Sequence, residues 1–564
     1  MKVERKMTHS RKISVKDEQE LQKAILREKA KGISDMEIGN KYGVTFRYVE
    51  NLITKSQGIN VSALNSLKKI KSLNPKFFKE EQNTVWSFKQ RGNWATHSGE
   101  YRGNWSPYIP RNILLKYSRP GELVLDYFCG AGTTAVEAKL LGRRCIALDI
   151  NDKAIELAKR NVHFGIEQEQ LDLFGDDKAL KIYEPELLVG DARYLEFLKN
   201  NSIDMICSHP PYANIINYTN SKNGDLSFYG IDEFLAEMSK VAEESFRILK
   251  PGRQCAILIG DTRKKKHIIP LGFKLINIYL NAGFKLRELI IKRQHNCKTT
   301  GFWCKNSVKY NFLLLAHEYL PIFEKTKTVL GSNVKERDAS YSVIAPVTEK
   351  PALSKKLNEL ETTTVWVLQE KEFEKQLNKN VIERYSKGNG HLTVSFNSGS
   401  NHTFLFGEKR IKNKGLLFIK SSFLSHCHSK TDIEIYLNKI NEIIKEDSIN
   451  KDGYLIIQTR DVRLNGYIEP VAKILVDMLT DNKNLWLKEI VIVVPEKQNH
   501  QNNNPQEYLN IEHQYLLVYE YCIFSDICLD ERKILNAPNS ISIEGRTGWK
   551  SGKTSKGGGG GISS

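Results

Sequence analysis

Glu122-Leu123-Val124-Leu125-Asp126-Tyr127-Phe128-Cys129-Gly130-Ala131-Gly132-Thr133-Thr134 reads as a buried strand, a glycine loop and the start of a helix. Pro120-Gly121 before it is a turn, and Ala135 to Leu141 continues the helix. Strand, glycine loop and helix in that order open a nucleotide-binding α/β unit. Its glycines let the backbone approach a ligand, and its helix N-terminus offers amides to a carboxylate. A second strand, Arg144-Cys145-Ile146-Ala147-Leu148-Asp149, ends in an acid about 20 residues after the glycines, where dinucleotide folds place the carboxylate that bonds ribose hydroxyls. A third, Glu186 to Val189, ends in Gly190-Asp191-Ala192-Arg193. Polar groups at successive strand ends mark the ligand edge of an open α/β sheet.

A fourth strand runs into Asp204-Met205-Ile206-Cys207-Ser208-His209-Pro210-Pro211-Tyr212, which holds the chain's only Pro-Pro pair. Proline removes a backbone donor and pushes the residue before it to extended geometry, so the strand stops and leaves carbonyls unpaired. Such carbonyls can accept from an exocyclic amine on a flat base, and Tyr212 can stack on that base. On its own the segment reads first as a strand ending in a Pro-Pro turn, and the upstream glycine loop reverses that. Further on, Phe234 to Leu249 reads as an amphipathic helix, Ala256 to Asp261 as another strand, and Tyr310 to Phe323 as a final strand pair.

A chain of 564 residues is long enough for roughly three or four domains. An apolar share of 40% suits a soluble protein with a buried core. The net charge of +18 and pI near 9.2 point to a polyanionic partner, against the plain alternative of a basic protein without one. The nine cysteines are scattered, with no CxxC, and read as reduced thiols rather than disulfides or metal ligands; no metal is expected. The N-terminus is charged, and no run approaches the ~20 apolar residues of a membrane helix. The expected location is cytoplasmic and nucleoid-associated.

The two motifs together carry a resemblance. Residues 81–325 resemble S-adenosylmethionine-dependent DNA methyltransferases that modify exocyclic amines, adenine N6 or cytosine N4. The cofactor loop of that family, Asp-x-Phe-x-Gly-x-Gly, stands here as Asp126-Tyr127-Phe128-Cys129-Gly130-Ala131-Gly132. Its catalytic Asp/Asn/Ser-Pro-Pro-Tyr/Phe stands as His209-Pro210-Pro211-Tyr212, and Trp105-Ser106-Pro107-Tyr108-Ile109-Pro110-Arg111 looks like its methionine-contacting element. The resemblance implies S-adenosylmethionine as cofactor, held by Trp105, Pro110, Asp126, Phe128, Gly130, Gly132, Thr133, Asp149 and Asp191. It implies catalysis by His209, Pro210, Pro211 and Tyr212 on a base flipped out of a duplex. His209 departs from the family: a neutral imidazole nitrogen can accept from the amine and loses that ability on protonation, so activity is expected to fall at mildly acidic pH. Lacking the acid or amide of the adenine enzymes, it favours cytosine N4.

Residues 1–60 read as a helix-turn-helix. Asp17 to Lys31 forms one helix, Ser34 caps the next, Gly43 turns the chain, and Thr45 caps a helix through Tyr48, Leu52 and Ile53. Arg47 and Asn51 would then meet DNA, the alternative being a helical packing domain. Residues 61–80 read as a linker. Arg263, Lys264 and Lys265 beside the ligand edge are candidate phosphate contacts or a solvated turn. Lys292 to Lys309, with Arg293, Lys298 and Trp303, is the candidate target-reading segment.

After a polar linker at 326–360, residues 361–530 echo the catalytic domain. Thr364-Val365-Trp366 repeats Thr84-Val85-Trp86, and Lys379 to Ser386 repeats Arg111 to Ser118. In that register Val394, Ser398 and Ser400 replace Asp126, Gly130 and Gly132. Asp461, Arg463, Ile468 and Pro470 match Asp261, Arg263, Ile268 and Pro270, and Glu520-Tyr521 echoes Glu318-Tyr319. Ser421-Ser422-Phe423 lies near where Pro-Pro-Tyr would be. The Ser-, Gly- and Lys-rich stretch 537–564 is expected to be disordered.

The fold class is therefore α/β: a Rossmann-like methyltransferase domain, an N-terminal helix-turn-helix, and a degenerate methyltransferase-like α/β domain at the C-terminus. The expected function is site-specific methylation of double-stranded DNA, as the modification half of a restriction-modification or defence system whose nuclease is a separate protein. The alternatives are an RNA base-amine methyltransferase and a non-catalytic DNA-binding regulator. The regulator predicts no cofactor binding, although Asp126, the glycines and Asp149 are intact.

Overall fold

The computed structural model describes residues 15–31, 35–44, 72–97, 103–165, 181–213, 222–264, 267–295, 310–327, 341–344, 360–386, 390–398, 414–421, 429–445, 449–496 and 507–522, with a few single positions between them. Thr45, Arg47, Asn51, Lys265, Lys298, Trp303 and the 537–564 tail lie outside the described residues.

At the N-terminus, helices α1 (Val15–Ala30) and α2 (Asp35–Tyr42) bury Ile25 and Ile38 against Val49 and Leu52. Gly43, at φ +64°, turns the chain after α2, and Glu28 pairs with Lys41 across the two helices at 3.1 Å.

The first sheet contains β1 (Val85–Ser87), β2 (Leu123–Asp126), β3 (Arg144–Asp149), β4 (Glu186–Val189), β5 (Ile203–Ser208), β6 (Leu249–Ile257), β9 (Lys285–Arg293) and β10 (His317–Lys325), in the order β1-β9-β10-β6-β5-β2-β3-β4. Only β10 runs antiparallel. After the edge strand β1, the chain enters the sheet's middle at β2, moves outward through β3 and β4, then returns to β5 on the other side of β2. That reversal opens a crevice beyond the C-terminal ends of β2 and β5. Both faces of these strands are covered, which is why they read as continuous apolar runs. Val124 and Met205 point into a core under α3 (Tyr108–Tyr117) and α4 (Thr133–Leu140). Their neighbours Leu125 and Ile206 point into the opposite core, under α6 (Ile231–Ile248) and α7 (Leu271–Asn281). Helix α5 (Asp152–Val162) lies beside α4 and is capped by the Asn151 side chain.

Some expected boundaries move. β6 runs from Leu249, the expected helix end, to Ile257, so it starts before the strand expected at Ala256 to Asp261; Gly252, at φ +80°, turns the backbone inside it. The expected final strand pair is β10 alone, and its partner β9 lies further back in the chain. The end of the segment expected to be a linker at 61–80 is docked on α3: Phe78 stacks on Tyr108 at 6.3 Å, and Asn74 accepts from Arg111.

The second sheet contains β11 (Tyr341–Ile344), β12 (Val365–Gln369), β13 (His391–Ser398), β14 (Lys414–Ser421), β15 (Ile449–Thr459), β18 (Leu485–Glu496) and β19 (Gln514–Tyr521), in the order β11-β13-β14-β15-β19-β18-β12. Read from β12, this is the order of the first sheet read from β1, with the antiparallel strand β19 at the place of β10. Helices α8 (Phe373–Tyr385), α9 (Lys430–Lys445) and α10 (Val471–Thr480) take the places of α3, α6 and α7. The hairpin β16 (Val462–Leu464)–β17 (Tyr467–Glu469) takes the place of β7 (Thr262–Lys264)–β8 (His267–Ile269). The counterparts of α4, β3, α5 and β4 have no room: residues 399–413 separate β13 from β14, whereas 127–202 separate β2 from β5. β11, within the segment expected to be a linker, fills the edge in antiparallel orientation.

Strand register corrects two of the echoes. Leu392 pairs with Leu417 as Leu125 pairs with Ile206, so Thr393, not Val394, occupies the place of Asp126. The turn before β13 is one residue shorter than the turn before β2. Gln514, not Glu520, matches Glu318: Val493 pairs with Gln514 and Ile492 with Tyr515, as Lys292 pairs with Glu318 and Ile291 with Tyr319.

The halves meet about a pseudo-two-fold axis. Arg263 donates to Glu489 at 2.5 Å and to the carbonyls of Lys488 and Leu313; Arg463 donates to Glu288 and to the carbonyls of Arg287 and Leu509. Thr84 and His513 bond at 2.8 Å, as do Thr364 and His317. Asn277 of α7 meets its own counterpart, Asp477 of α10, at 3.1 Å. This is the isologous pattern of a two-fold dimer, here within one chain. One continuous core runs from Phe273 and Tyr319 to Leu475 and Tyr515.

Candidate active site

Asp126 ends β2 and Ser208 ends β5. Ser208 donates its hydroxyl to the Asp126 carboxylate at 2.6 Å, tying the two strand ends together across the crevice. The Phe128 amide donates to both groups and so fixes the first turn of the glycine loop. Burial pushes the Asp126 carboxyl up to about 6, against the hydrogen bonds it accepts.

The loop bounds a cavity of about 690 Å³, including its open mouth, lined among others by Tyr101, Asn104, Trp105, Phe128, Gly130, Asp149, Asp191, His209 and Pro211. Gly130 sits at φ +49°, and a Cβ there would come within 2.8 Å of the Tyr101 ring. The Gly130 amide donates to Asp149 at 2.9 Å, which holds that carboxylate over the loop. Burial pushes Asp149 up to about 6, against amide hydrogen bonds from Asn151 and Gly130. Asp191 is gripped by Arg193, whose guanidinium also reaches Glu237 at 2.5 Å and the Gly224 carbonyl.

Four of the residues expected around the cofactor stand behind the cavity wall. Asp126 holds the loop. Gly132, at φ +78°, lets α4 pack on Ala158, which a Cβ would approach to 3.0 Å. Thr133 donates to Asn104 at 2.6 Å and so positions a residue that does line the cavity. Pro110 is buried in α3. That helix is braced by Arg111, which pairs with the buried Glu137 at 2.9 Å; Glu137 also takes His97 and Trp94.

His209 stacks on Trp105 with ring centroids 5.5 Å apart. Its Nε2 lies 2.8 Å from the Tyr212 hydroxyl, which donates to Glu318 at 2.9 Å. Lys292 donates to the other Glu318 oxygen at 2.7 Å. Burial pushes the His209 imidazole down to about 4, the Glu318 charge opposing this and Lys292 adding to it. The loss of activity expected at mildly acidic pH is therefore corrected: His209 stays neutral down to about pH 4. Burial also works on Glu318, but Lys292 and His209 outweigh it and hold the carboxylate below its ordinary range.

Among the expected nucleic-acid contacts, Arg263 is spent on Glu489 at the contact between halves, because its hairpin packs against β18 instead of standing free. Lys264 and Arg293 are half-buried. Arg293 ends β9, which is parallel to β5 and β6 along the sheet, so it lies on the edge that carries His209. The reading of the sequence did not place Tyr101, Asn104, Tyr218 or Glu318 at the site, and it put Lys292 in the target-reading segment and not beside Glu318. Tyr101 and Tyr218 stack at 5.9 Å across the cavity mouth. The aromatic, glycine-bearing run Tyr101-Arg102-Gly103-Asn104 just before Trp105 was a usable signal; Glu318 had none, since only strand pairing brings it to Tyr212. Among the described residues no cluster of His, Cys, Asp or Glu could hold a metal, and no helix is long and apolar enough to cross a membrane.

The profile of a family described as DNA methylase matches residues 3–160 and 203–412. A second profile, an RMKL-like methyltransferase domain, matches 113–259. The chain is 34% identical over 88 residues to the type II methyltransferase M.SmaI of Serratia marcescens, covering 16% of this chain and 29% of that protein. It is 31% identical over 115 residues to a tRNA (guanine(10)-N2)-dimethyltransferase of Methanothermobacter thermautotrophicus, covering 20% and 29%. The match thus spans 29% of the length of each of these two relatives. The crystal structure of TrmN from Thermus thermophilus is similar at 21% identity and a TM-score of 0.24, over 40% of this chain and 50% of that one. The cavity suits the cofactor that the family uses: a glycine cradle against an aromatic ring, and an acid held over it by a loop amide. With two motifs meeting at one crevice and a family profile spanning most of the chain, the protein belongs to the DNA methylase family, with S-adenosylmethionine as its cofactor.

Proposed function

We propose that the chain methylates an exocyclic base amine in double-stranded DNA, as the modification half of a restriction-modification or related defence system. The observation that carries this reading is the shared cavity: Phe128 and Gly130 of the cofactor loop and His209 and Pro211 of the Pro-Pro motif line one space. Phe128, Gly130, Asp149 and Asp191 would hold the cofactor, with Trp105 beside the reacting centre. S-adenosylmethionine supplies a sulfonium methyl, the bonding pair staying on sulfur as the acceptor nitrogen forms the new bond.

The rest falls to the chain's own residues. His209 and the Pro210 carbonyl accept hydrogens of the target amine and draw its nitrogen toward tetrahedral geometry, freeing the lone pair from the ring. The surplus proton passes to His209 and from there to solvent. Orientation supplies most of the rate, and Tyr212, held by Glu318, keeps its ring and His209 in place. Arg293 and Lys264 are proposed to meet phosphate, with the N-terminal helices adding duplex contacts. The absence of an acid or amide at position 209 favours cytosine N4 over adenine N6.

The test is expression in a methylation-free bacterial host followed by mass spectrometry of digested DNA. A new N4-methylcytosine or N6-methyladenine supports the reading and names the base. Unmodified DNA, with S-adenosylmethionine binding intact by calorimetry, moves the proposal to RNA, the reading that the similarity to a tRNA guanine-N2 methyltransferase favours.

A further inference from the structure

Four side chains from three separate segments form one line: Lys292, Glu318, Tyr212 and His209, linked at 2.7, 2.9 and 2.8 Å. The tyrosine hydroxyl has one hydrogen. Glu318 is ionised beside Lys292 and can only accept, so that hydrogen goes to Glu318 and the hydroxyl oxygen must accept from His209. Nε2 of His209 therefore carries the imidazole hydrogen. Nδ1 is then the basic nitrogen, and it has no hydrogen-bond partner among the described residues, although His209 lines the cavity. Gly260 leaves room for the line: a Cβ there would come within 2.8 Å of the Tyr212 ring and 3.4 Å of Glu318.

We propose that Glu318, backed by Lys292, is a positioning residue that fixes His209 in its Nε2–H tautomer, so that Nδ1 is the nitrogen that accepts from the target amine. This rests on the proposed methyl transfer for its purpose, but the tautomer can be read without it. It also accounts for a histidine at a position where an Asp, Asn or Ser accepts with oxygen: a neutral imidazole does the same work only if the correct nitrogen is bare. The second half supports the assignment. It keeps the neighbouring His513–Tyr515 pair at 2.9 Å, yet Val493 and Gln514 stand where Lys292 and Glu318 stand, and Lys420 stands where His209 does. The line is missing from the half that has lost the Pro-Pro motif.

Glu318→Gln is nearly isosteric and reverses the line. Its amide oxygen accepts from Lys292, so its NH2 donates to Tyr212. The tyrosine hydrogen then turns to Nε2, and the hydrogen of His209 moves to Nδ1. The experiment is a long-range proton–nitrogen NMR spectrum of the full-length protein labelled with 15N-histidine, with His209 assigned by subtracting the spectrum of His209→Asn. We expect Nε2–H in the parent chain and Nδ1–H in Glu318→Gln, with S-adenosylmethionine binding by calorimetry unchanged because Glu318 does not line the cavity. Turnover should fall ~100-fold in Glu318→Gln and only ~10-fold in Tyr212→Phe, which frees the tautomer without reversing it. In a His209→Asn background Glu318→Gln should change turnover less than about twofold, since an amide has no tautomer to set. An Nδ1–H signal in the parent chain, an unchanged tautomer in Glu318→Gln, or an equal loss of turnover in the His209→Asn background overturns the proposal. If the parent chain methylates no nucleic acid, the proposed function fails, and the NMR result alone decides the tautomer.

Discussion

The two halves of the chain share a strand order and face each other with the same side chains, yet only one carries a glycine loop and a Pro-Pro motif after its strands. Arg263–Glu489 mirrors Arg463–Glu288, and the Thr84–His513–Tyr515–Asp461 series mirrors Thr364–His317–Tyr319–Asp261. Away from the axis the likeness stops. Thr393 stands for Asp126, Ile419 for Ser208, Lys420 for His209 and Ser421 for Pro210. The segment that would carry the counterparts of Asp149 and Asp191 is absent. The contact face repeats its chemistry in both halves, and the strand ends do not. The second half covers the apolar face of α7, with Phe273 against Tyr515 and Asn277 against Asp477.

The hardest way to break this arrangement is at the mirrored ion pairs. Arg263→Ala leaves Glu489 fully buried with its charge uncompensated, and Arg463→Ala does the same to Glu288. Removing one member of a buried pair costs about 3–5 kcal/mol. Each variant should lose about that much in urea denaturation, and the two losses should agree. Because one core spans both halves, the parent chain should unfold in a single transition. Two well-separated transitions would show that the halves are independent domains.

The next test falls on the pocket, where the halves differ. Gly130→Ala forces a Cβ toward Tyr101 from a left-handed backbone. Overpacking of this kind costs about 1–3 kcal/mol, so S-adenosylmethionine affinity by calorimetry should drop about 5- to 100-fold. Thr393→Ala, at the strand end that matches Asp126, should leave that affinity unchanged.

What could be read from the sequence follows the same division. The strands β2 to β5, the glycine loop and the Pro-Pro motif are contiguous signals, and each fell where its pattern placed it; β6 lies earlier than the strand expected at Ala256 to Asp261. The likeness of the two halves was legible from Thr364-Val365-Trp366 and from Asp461 with Arg463, because those residues make contacts matching those of their counterparts. Register was not legible. A turn one residue shorter shifted Thr393 into Asp126's place, and a chance Glu520-Tyr521 drew the eye from the true match, His513-x-Tyr515. Arg263 looked like a phosphate contact because sequence shows a charge but not the Glu489 that neutralises it. The link from Lys292 and Glu318 to Tyr212 was not legible, because antiparallel pairing of β9 with β10, not any motif, makes it.

A smaller effect tests whether the mirrored histidines are equivalent. Burial pushes His317 down to about 4 and His513 to about 3, so the folded chain keeps both neutral. The unfolded chain takes up those protons below about pH 6.5, which favours unfolding as pH falls. Each histidine should therefore cost about 2 kcal/mol of stability between pH 7 and pH 5. His513→Asn and His317→Asn should each reduce the pH 7-to-5 difference in urea denaturation by about that amount. A change confined to one of them would break the symmetry at the contact face.

The smallest expected effect is the sharpest statement about the second half. Lys420 takes the register position of His209, but its ammonium is paired with the exposed Glu374. Surface pairs of that kind contribute about 0–1 kcal/mol. Lys420→Ala should change stability by no more than that, and methyl transfer and cofactor binding should stay as in the parent chain. His209→Ala, at the matching place in the other half, should remove turnover while leaving the shared core and its unfolding transition in place. If Lys420→Ala lowers turnover at unchanged stability, the second half reaches the substrate. The loss of its Pro-Pro motif would then mark a change of role at that strand end, not the loss of one.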